Sequence, residues 1–467
     1  MFWSGLAGGL VAVVAIVLGL AFFGRALLDR LLDGLSRRLF SDPYRENLLE
    51  MANVLLKVGP MNLAELELRA DSGAPLERPF GARKVHSPWN LFFFRPVYLS
   101  GRPLGADESV ETEVAIGPRA ARPLTLSIPI LVGGMGWGIA LSDRAKVALA
   151  RGATLAGTAA NTGGGPFLPA ERAEAGKLIF QLNRAGWMRE AEILRRADAV
   201  EIALGHGALG SAPSIIAEEE LEIDPEFRAA LAGTRPAIEA VLPEGHGAEA
   251  LHVLVRRLRA LTGGVPVGIK IGATDRIEEE LEAILSAEPD FIALDGGEGG
   301  THGLATAIHD AVCLPTLQAL CRTERFLQMK GVRDRLSLLV GGGLAQPADL
   351  LKAMALGADA VYIGTAALLA IAHGQVEKAT PFEPPTELVF HRGARAAAFD
   401  PEKGALHLMR YLRSCVAEME LVAKTLGRRS LAEVGRDDLC CLDRGLAELA
   451  GVRWAGLPPA PEDARFL

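Results

Sequence analysis

The chain has 467 residues, of which 49% are hydrophobic and 23% charged, and its formal net charge is −8. This length holds one large domain with appendages or two domains, and the composition is that of a globular protein. The negative charge argues against a nucleic-acid partner. Because the five cysteines form no CxxC pair and no ligand-like spacing with histidine, the sequence predicts neither a metal site nor a disulfide framework.

The first 25 residues are predicted to form a membrane anchor. Residues 2–23 (FWSGLAGGLVAVVAIVLGLAFF) are uncharged and long enough to span a bilayer as a helix. They lack the basic start and small-residue cleavage site of a signal peptide, and arginines follow them. We therefore expect a single-pass protein of the inner or plasma membrane with its remainder on the cytoplasmic side. A cleaved signal peptide and a buried core helix are the alternatives.

Residues 26–125 are predicted to wrap around the domain that follows. They combine an amphipathic stretch with Pro- and Gly-rich pieces and the aromatic cluster WNLFFF at 89–94. The cluster is interpreted as core, with a membrane-dipping loop as the alternative. Residues 401–467 are predicted to be a helical C-terminal segment that packs against the same domain.

Residues 126–400 show a repeated alternation of apolar runs and helix-period segments. Strands are predicted at 129–135, 153–159, 177–183, 199–205, 266–272, 291–297, 336–343 and 360–366. Eight such units predict an α/β fold, a (β/α)₈ TIM barrel, with an open sheet as the alternative. The fourth unit carries an insertion at 207–247. It is interpreted either as a lid or substrate loop, or as a solvent-exposed loop without a function.

Polar residues follow the predicted strands, and catalytic side chains of such barrels gather there. Lys270 lies on an apolar strand, where a lysine needs an anionic partner or an electron-rich ring edge, unless it reaches solvent. His206 follows strand four and is a candidate proton donor, with a structural hydrogen-bonding role in its glycine loop as the alternative. Glu298 and His302, in the glycine-rich turn after strand six, are weaker candidates. The glycine turns after strands seven and eight predict a phosphate site, with plain tight turns as the alternative.

The motifs GGMGWG, AANTGGG, IFQ, EIALGHGALG, VGIKI, DGGEGGTHG, LLVGGG and DAVYIGTA occur in this order over about residues 80–400. In order and spacing they resemble the FMN-binding barrel of glutamate synthase, in its stand-alone form. The resemblance implies FMN at the barrel mouth, with hydride transfer to an imine of 2-oxoglutarate and ammonia. The implied contacts to the flavin ring and its polar edge are Gly134, Met135, Gly136, Asn161, Gln181 and Lys270. The implied ribityl and phosphate contacts are Gly296, Gly297, Gly342, Gly343, Gly364 and Thr365.

Two departures from the family pattern affect the expected substrate. Gly164 stands where the family has a glutamate, and Leu209 replaces a lysine that holds the oxo acid. No cysteine occurs in residues 366–404, so no iron–sulfur cluster is expected. We predict an FMN-dependent oxidoreductase that acts on an amino or oxo acid and takes electrons from an unidentified donor. A catalytically inactive flavin scaffold and a barrel for another phosphorylated ligand are the alternatives.

Overall fold

A computed structural model of the chain describes residues 23–43, 47, 52, 55–72, 87–207, 209–216, 218, 221, 224–231, 233–299, 306–375 and 385–456. The chain divides into two compact units, residues 1–76 and 77–467. In the first unit, residues 23–41 are helical and a second helix spans Pro60–Ser72. Residues 2–22 of the predicted anchor lie outside the described residues. Within the described ranges, no helix is long and apolar enough to cross a bilayer.

Eight parallel strands form the centre of the second unit. They are β1 (Ile130–Val132), β2 (Ala160–Asn161), β3 (Leu178–Leu182), β4 (Ala199–Ala203), β5 (Val267–Gly272), β6 (Phe291–Asp295), β7 (Ser337–Gly341) and β8 (Ala360–Ile363). Their order is β1-β8-β7-β6-β5-β4-β3-β2. A hydrogen bond from Val132 N–H to Ala159 O, 3.1 Å long, joins the two ends of this sheet. The predicted α/β TIM barrel is therefore confirmed.

A helix follows each strand on the outside of the barrel. These are α1 (Asp143–Ala156), α2 (Pro169–Glu174), α3 (Ala191–Leu194), α4 (Ala248–Leu261), α5 (Ile277–Leu285), α6 (Thr316–Met329), α7 (Pro347–Ala355) and α8 (Thr365–Ala372). Helix α1 begins where Ser142 Oγ accepts from Ala145 N–H, and ends at Gly157, whose φ is +79°. It packs against a long C-terminal helix, Pro401–Leu426, that Asp400 caps.

The position predicted for the second strand is wrong. Residues 153–156 are the last turn of α1, and the strand begins only at Ala160. The segment ATLAGTA is rich in alanine, the residue with the highest helix propensity. Gly157 then ends the helix in a left-handed conformation, which moves the strand beyond the predicted run.

The chain on either side of the barrel covers its outside and its lower end. The hairpin of Val114–Ile116 and Leu124–Leu126 packs into the barrel interior at the amino ends of the strands. Strand Phe92–Phe94 pairs with Leu439–Cys441, which pairs in turn with Arg453–Trp454. In the aromatic cluster Trp89 and Phe92 are buried, as the core interpretation expects, and Phe93 is exposed.

The insertion predicted at 207–247 lies between β4 and α4. It contains a short antiparallel pair, Ser214–Ile215 with Ala237–Ile238, and a helix, Pro225–Ala230. Its Phe227 packs edge-on against Trp137 in the turn after β1, with ring centroids 5.9 Å apart. The described part of the insertion therefore covers the barrel end at which the strands finish. Further α-helices of the described residues are Thr306–Ala311, Thr386–Val389 and Arg444–Ala450.

Candidate active site

A buried polar network crosses the barrel near the carboxyl ends of the strands. Lys270 on β5 forms an ion pair with Asp295 at the end of β6, with Nζ 2.9 Å from Oδ2. Glu201 on β4 accepts hydrogen bonds from Asn161 Nδ2 (3.0 Å) and from Tyr362 OH (2.9 Å). The Lys270 ammonium lies 5.5 Å from the centroid of the Tyr362 ring. Five different strands thus contribute one polar side chain each.

The charges in this network determine its protonation. Burial lowers the pKa of Lys270, but the carboxylates of Asp295 and Glu201 outweigh it, and the net pKa lies above the ordinary value. Burial raises the pKa of Glu201, and the Lys270 charge opposes this only in part. Burial also raises the pKa of Tyr362 well above its usual range. Lys270 is therefore an ammonium and Tyr362 a neutral donor at pH 7.

The turns after β1, β2 and β3 meet at one point of the barrel mouth. A Cβ on Gly134 would lie 2.7 Å from Gln181 Oε1 and 2.9 Å from Asn161 Oδ1, so both amide oxygens face this glycine. Asn161 Oδ1 also accepts from Gly163 N–H, at 2.9 Å. A Cβ on Gly136 would be 2.5 Å from the main-chain nitrogen of Gly165. The structure thus brings together the ring-contacting residues of β1, β2 and β3 that the resemblance implies, with Met135 between the two glycines.

The glycine turns after β6 and β7 are packed together. Gly296 N–H donates to Gly341 O at 2.9 Å, and Gly297 N–H donates to Leu314 O at 2.6 Å. A Cβ on Gly342 would be 2.4 Å from Thr316 Oγ1 and 3.1 Å from Gly296 N, and Gly343 has φ +67°. Close backbone packing and left-handed backbone conformation therefore explain why glycine occupies these positions, even without a ligand.

The turn after β8 differs from the turns after β6 and β7. A Cβ on Gly364 would meet no protein atom within 4 Å. Gly364 precedes α8, which begins at Thr365, and no side chain caps that helix. The first N–H groups of an uncapped helix remain available to an anion. The end of β8 therefore combines open space with main-chain donors.

His206 lies in a tight turn directly after β4. Its carbonyl accepts from Leu209 N–H (3.1 Å) and Gly210 N–H (2.8 Å), and a Cβ on Gly272 would be 2.9 Å from that carbonyl oxygen. Burial lowers the pKa of the imidazole to about 4, and the nearby Asp295 carboxylate opposes this only in part. His206 is therefore neutral at pH 7, and it lies beside the end of β5.

The two weaker candidates differ in outcome. Glu298 accepts hydrogen bonds from Ser87 Oγ (2.6 Å), Thr316 N–H (2.8 Å) and Thr316 Oγ1 (2.7 Å). The carboxylate therefore caps the first turn of α6 and joins the segment before the barrel to it, which is a structural role. His302 lies outside the described residues.

Sequence reasoning missed several buried charged residues at this end of the barrel, among them Glu201, Lys146 and Arg184. Glu201 could have been found, because it interrupts an apolar strand (AVEIALG) just as Lys270 does. Lys146 lies within a helical pattern, where charged residues are usually exposed, and Arg184 lies in the turn after β3. For Lys146 and Arg184 the sequence offers no signal.

Arg184 is almost fully buried, and its guanidinium is bonded to main-chain carbonyls of the insertion. It donates to Ser211 O, to Ala212 O at 3.0 Å and to Ala240 O at 3.4 Å. Burial lowers its pKa. Among the residues that the structure describes, no carboxylate forms an ion pair with Arg184. It is thus a buried cation whose described partners are uncharged.

The two departures from the family pattern have different surroundings. Gly164 O accepts from Asn183 Nδ2 (2.6 Å) and Trp187 Nε1 (2.9 Å), and a Cβ on Gly164 would lie 2.7 Å from that amide nitrogen. A glutamate could not replace Gly164 unless Asn183 moved. Leu209 is partly buried and brings no charge to the turn after β4.

Comparison with known proteins identifies relatives along most of the chain. The family model described as the conserved region in glutamate synthase matches residues 104–429. A glutamate synthase large subunit-like protein of Rhizobium meliloti is 31% identical over 424 residues, which is 86% of this chain and 96% of that protein. An archaeal-type glutamate synthase [NADPH] of Thermotoga neapolitana is 34% identical over 57% of this chain. The chain spans about half (53%) of that relative.

Two solved structures share the fold at low identity. An (S)-mandelate dehydrogenase chimera has a TM-score of 0.50 and 18% identity, over 80% of this chain and 94% of that one. The flavin-binding domain of baker's yeast flavocytochrome b2 has the same TM-score and identity, over 82% and 84%. The family model and the relatives confirm what the motifs predict: the chain belongs to the glutamate synthase family and is an FMN-dependent oxidoreductase of that family.

Proposed function

We propose that this oxidoreductase reduces the imine formed from an oxo acid and ammonia, with 2-oxoglutarate and its product glutamate as the first pair to test. The observation that carries the proposal is the Lys270, Asp295 and Glu201 network below a ring of glycine turns. It occurs in a chain whose relatives are named glutamate synthases. An amino or oxo acid related to this pair is the wider class of substrate.

The residues at the barrel mouth fit FMN. The space beside Gly364 and the uncapped start of α8 suit a phosphate group, which needs main-chain donors and room for close approach. Gly134 allows the turn after β1 to approach the amide groups of Asn161 and Gln181 closely, and Lys270 supplies a positive charge. These residues would hold the cofactor, with the glycines of the β6 and β7 turns forming the wall between ring and phosphate.

When bound, FMN supplies two-electron transfer to the substrate carbon. Lys270 holds positive charge near the ring edge, because Asp295 and Glu201 keep it protonated. His206 is neutral at pH 7 and provides an N–H or a lone pair beside the end of β5. The covering insertion and Phe227 limit the access of water on the β1 side.

Arg184 supports an anionic substrate. A buried guanidinium with no carboxylate partner among the described residues favours a bound anion, since transfer of an unpaired charge from water is costly. The loss of the family lysine at Leu209 therefore leaves Arg184 as a cation for a carboxylate group of the substrate. For Arg184→Met we expect KM for the oxo acid to rise by about 10- to 100-fold with a smaller effect on kcat. An unchanged KM would rule out this role.

The electron donor is proposed to be NADPH, acting directly or through a partner protein. The support is the name of the Thermotoga relatives, which includes NADPH. We propose that no iron–sulfur cluster takes part, since residues 366–404 contain no cysteine. Iron analysis of the purified protein tests this point, and stoichiometric iron with acid-labile sulfide would contradict it.

The first experiment is mass spectrometry of the ligand released on denaturation, followed by turnover with 2-oxoglutarate, ammonium and reduced donor. FMN and glutamate are the expected results. Another phosphorylated ligand would favour a different barrel function. FMN without turnover of any amino or oxo acid would favour the inactive flavin scaffold.

His206 is proposed to act in turnover and not in cofactor binding. It lies beside Lys270 and Asp295 but outside the cluster around Gly134. His206→Ala should abolish turnover and leave FMN bound. Unchanged turnover would reject this role, and loss of FMN would assign His206 to the cofactor site.

We also propose that residues 2–23 anchor the protein in the inner or plasma membrane, with the barrel on the cytoplasmic side. The supporting observation is the helix at 23–41, which exposes Leu27, Leu31 and Leu35 on one face. Such a face suits a membrane surface. In cell fractionation the full chain should be in the membrane fraction and the chain from residue 77 onward in the soluble one. Equal distribution would contradict the anchor.

A further inference from the structure

Lys146 is a buried lysine of α1 to which the proposed function gives no role. Its side chain is only 1% exposed. The ammonium lies 2.8 Å from Met135 O, 2.9 Å from Asn161 O and 3.1 Å from Thr162 O. It also lies 2.8 Å from Glu171 Oε1 on α2. The charge therefore faces three main-chain carbonyls and one carboxylate.

Met135 O and Thr162 O belong to the turns after β1 and β2, and Asn161 O belongs to the last residue of β2. In irregular backbone at a strand end, buried carbonyls have no partner in the sheet and need another donor. An ammonium has three N–H groups and no acceptor, so it satisfies several carbonyls at once. In a planar trans peptide the carbonyl and the following N–H point in opposite directions. Because the Met135 carbonyl points to Lys146, the Gly136 N–H points away from Lys146.

These turns carry the residues that surround Gly134. Met135 and Gly136 follow β1, and the Asn161 side chain faces Gly134 from β2. A shift of either main chain would move the amide oxygen of Asn161 relative to the glycine. Lys146 thus contacts the main chain of both segments that carry the proposed contacts to the flavin ring.

We propose that Lys146 is a positioning residue for the cofactor, whose ammonium fixes the β1 and β2 turns in the orientation that binds the flavin ring. This inference rests on the proposed function. The competing interpretation is that Lys146 and Glu171 are only an ion pair that fastens α2 to α1. The first interpretation depends on the contacts between the ammonium and the carbonyls. The second depends on the contact between the ammonium and the Glu171 carboxylate.

Three variants of the full chain separate the two interpretations. Lys146→Met removes the donors to the carbonyls. Glu171→Gln removes the charge pair but keeps an acceptor for the ammonium. Lys352→Met is the matched control, because Lys352 is also buried and donates to a carbonyl, Trp89 O at 2.8 Å, but lies on α7. The measurements are the FMN dissociation constant, from quenching of FMN fluorescence by apoprotein, and the melting temperature without FMN.

We expect Lys146→Met to bind FMN at least about tenfold more weakly, since contacts to a charged donor are lost. Glu171→Gln and Lys352→Met should bind FMN like the wild type, whatever their melting temperatures. Wild-type affinity in Lys146→Met would overturn the proposal, as would an equal loss in Glu171→Gln.

A folding failure of Lys146→Met would not leave the matter open. Lys146→Gln keeps an N–H donor but loses the ammonium and its reach, and it should also bind FMN at least about tenfold more weakly. Wild-type affinity in Lys146→Gln would overturn the proposal. A wild-type protein that binds no FMN would instead contradict the proposed function, so the two failures are distinguishable.

Discussion

Lys270 and its two carboxylate neighbours show how single residues determine the chemistry of the barrel interior. The ammonium is nearly inaccessible to solvent, and Asp295 and Glu201 offset its charge. A buried charge whose partner is deleted is far more costly than a surface charge, because water cannot replace the lost contact. A change of Lys270 should therefore affect both the stability of the fold and the binding of the cofactor.

Lys270→Met should lower the free energy of unfolding by about 3–5 kcal/mol, because it leaves Asp295 and Glu201 buried without a counter-charge. Urea denaturation of the apoprotein measures this loss. The control is Lys330→Met, which breaks an exposed ion pair with Glu282 and should change the free energy of unfolding by less than about 1 kcal/mol. Similar losses in both variants would show that the Lys270 pair is not effectively buried.

His206 should make the protein less stable in acid. Its pKa is about 4 in the folded state and about 6.5 in the unfolded state, so the unfolded chain binds the additional proton. The stabilising contribution is complete above pH 6.5 and is lost as the pH falls to 4, by a total of about 3 kcal/mol. Between pH 7 and 4.5, wild type should lose about 2–3 kcal/mol more than His206→Asn in urea denaturation. Parallel losses would contradict a depressed pKa.

At the scale of elements, the first turn of helix α6 is capped by a side chain from another part of the barrel. Glu298 in the turn after β6 accepts from Thr316, and Ser87 bonds the same carboxylate. Glu298→Ala should cost about 1–3 kcal/mol of unfolding free energy, since it leaves a buried N–H without an acceptor. Glu448→Ala, at an exposed helical pair, should cost less than about 0.5 kcal/mol. Denaturation curves of both variants decide whether the cap contributes.

The turn into helix α8 tests the phosphate position. A methyl group at Gly364 meets no protein atom, so Gly364→Ala should leave the melting temperature of the apoprotein nearly unchanged. If a phosphate occupies that space, FMN affinity should fall by at least about tenfold, the effect of losing about 1.4 kcal/mol. Fluorescence titration with FMN and with riboflavin measures it. A fall that is equal for riboflavin would place the clash at the ring.

At the scale of the whole molecule, the barrel could be predicted because parallel strands buried on both faces appear as continuous apolar runs. Strands β3 to β8 follow that pattern. Strand β2 does not, because it has two residues and follows an alanine-rich helix end. Lys270 was predictable as a charge on an apolar strand, and Glu201 carries the same signal. The roles of Lys146 and Arg184 depend on carbonyls distant in sequence, and only the assembled fold brings these together.

The closure of the barrel between β1 and β2 has a consequence for its dynamics. Among the described strands, this is the boundary without a continuous ladder, and a bond from Val132 N–H to Ala159 O joins it. Local opening should begin there, because few hydrogen bonds must break. Lys146 contacts the turns on both sides of this boundary. The amide hydrogens of β1 and β2 should therefore exchange earlier than those of β5 and β6, and FMN should leave the protein at the rate at which this boundary opens.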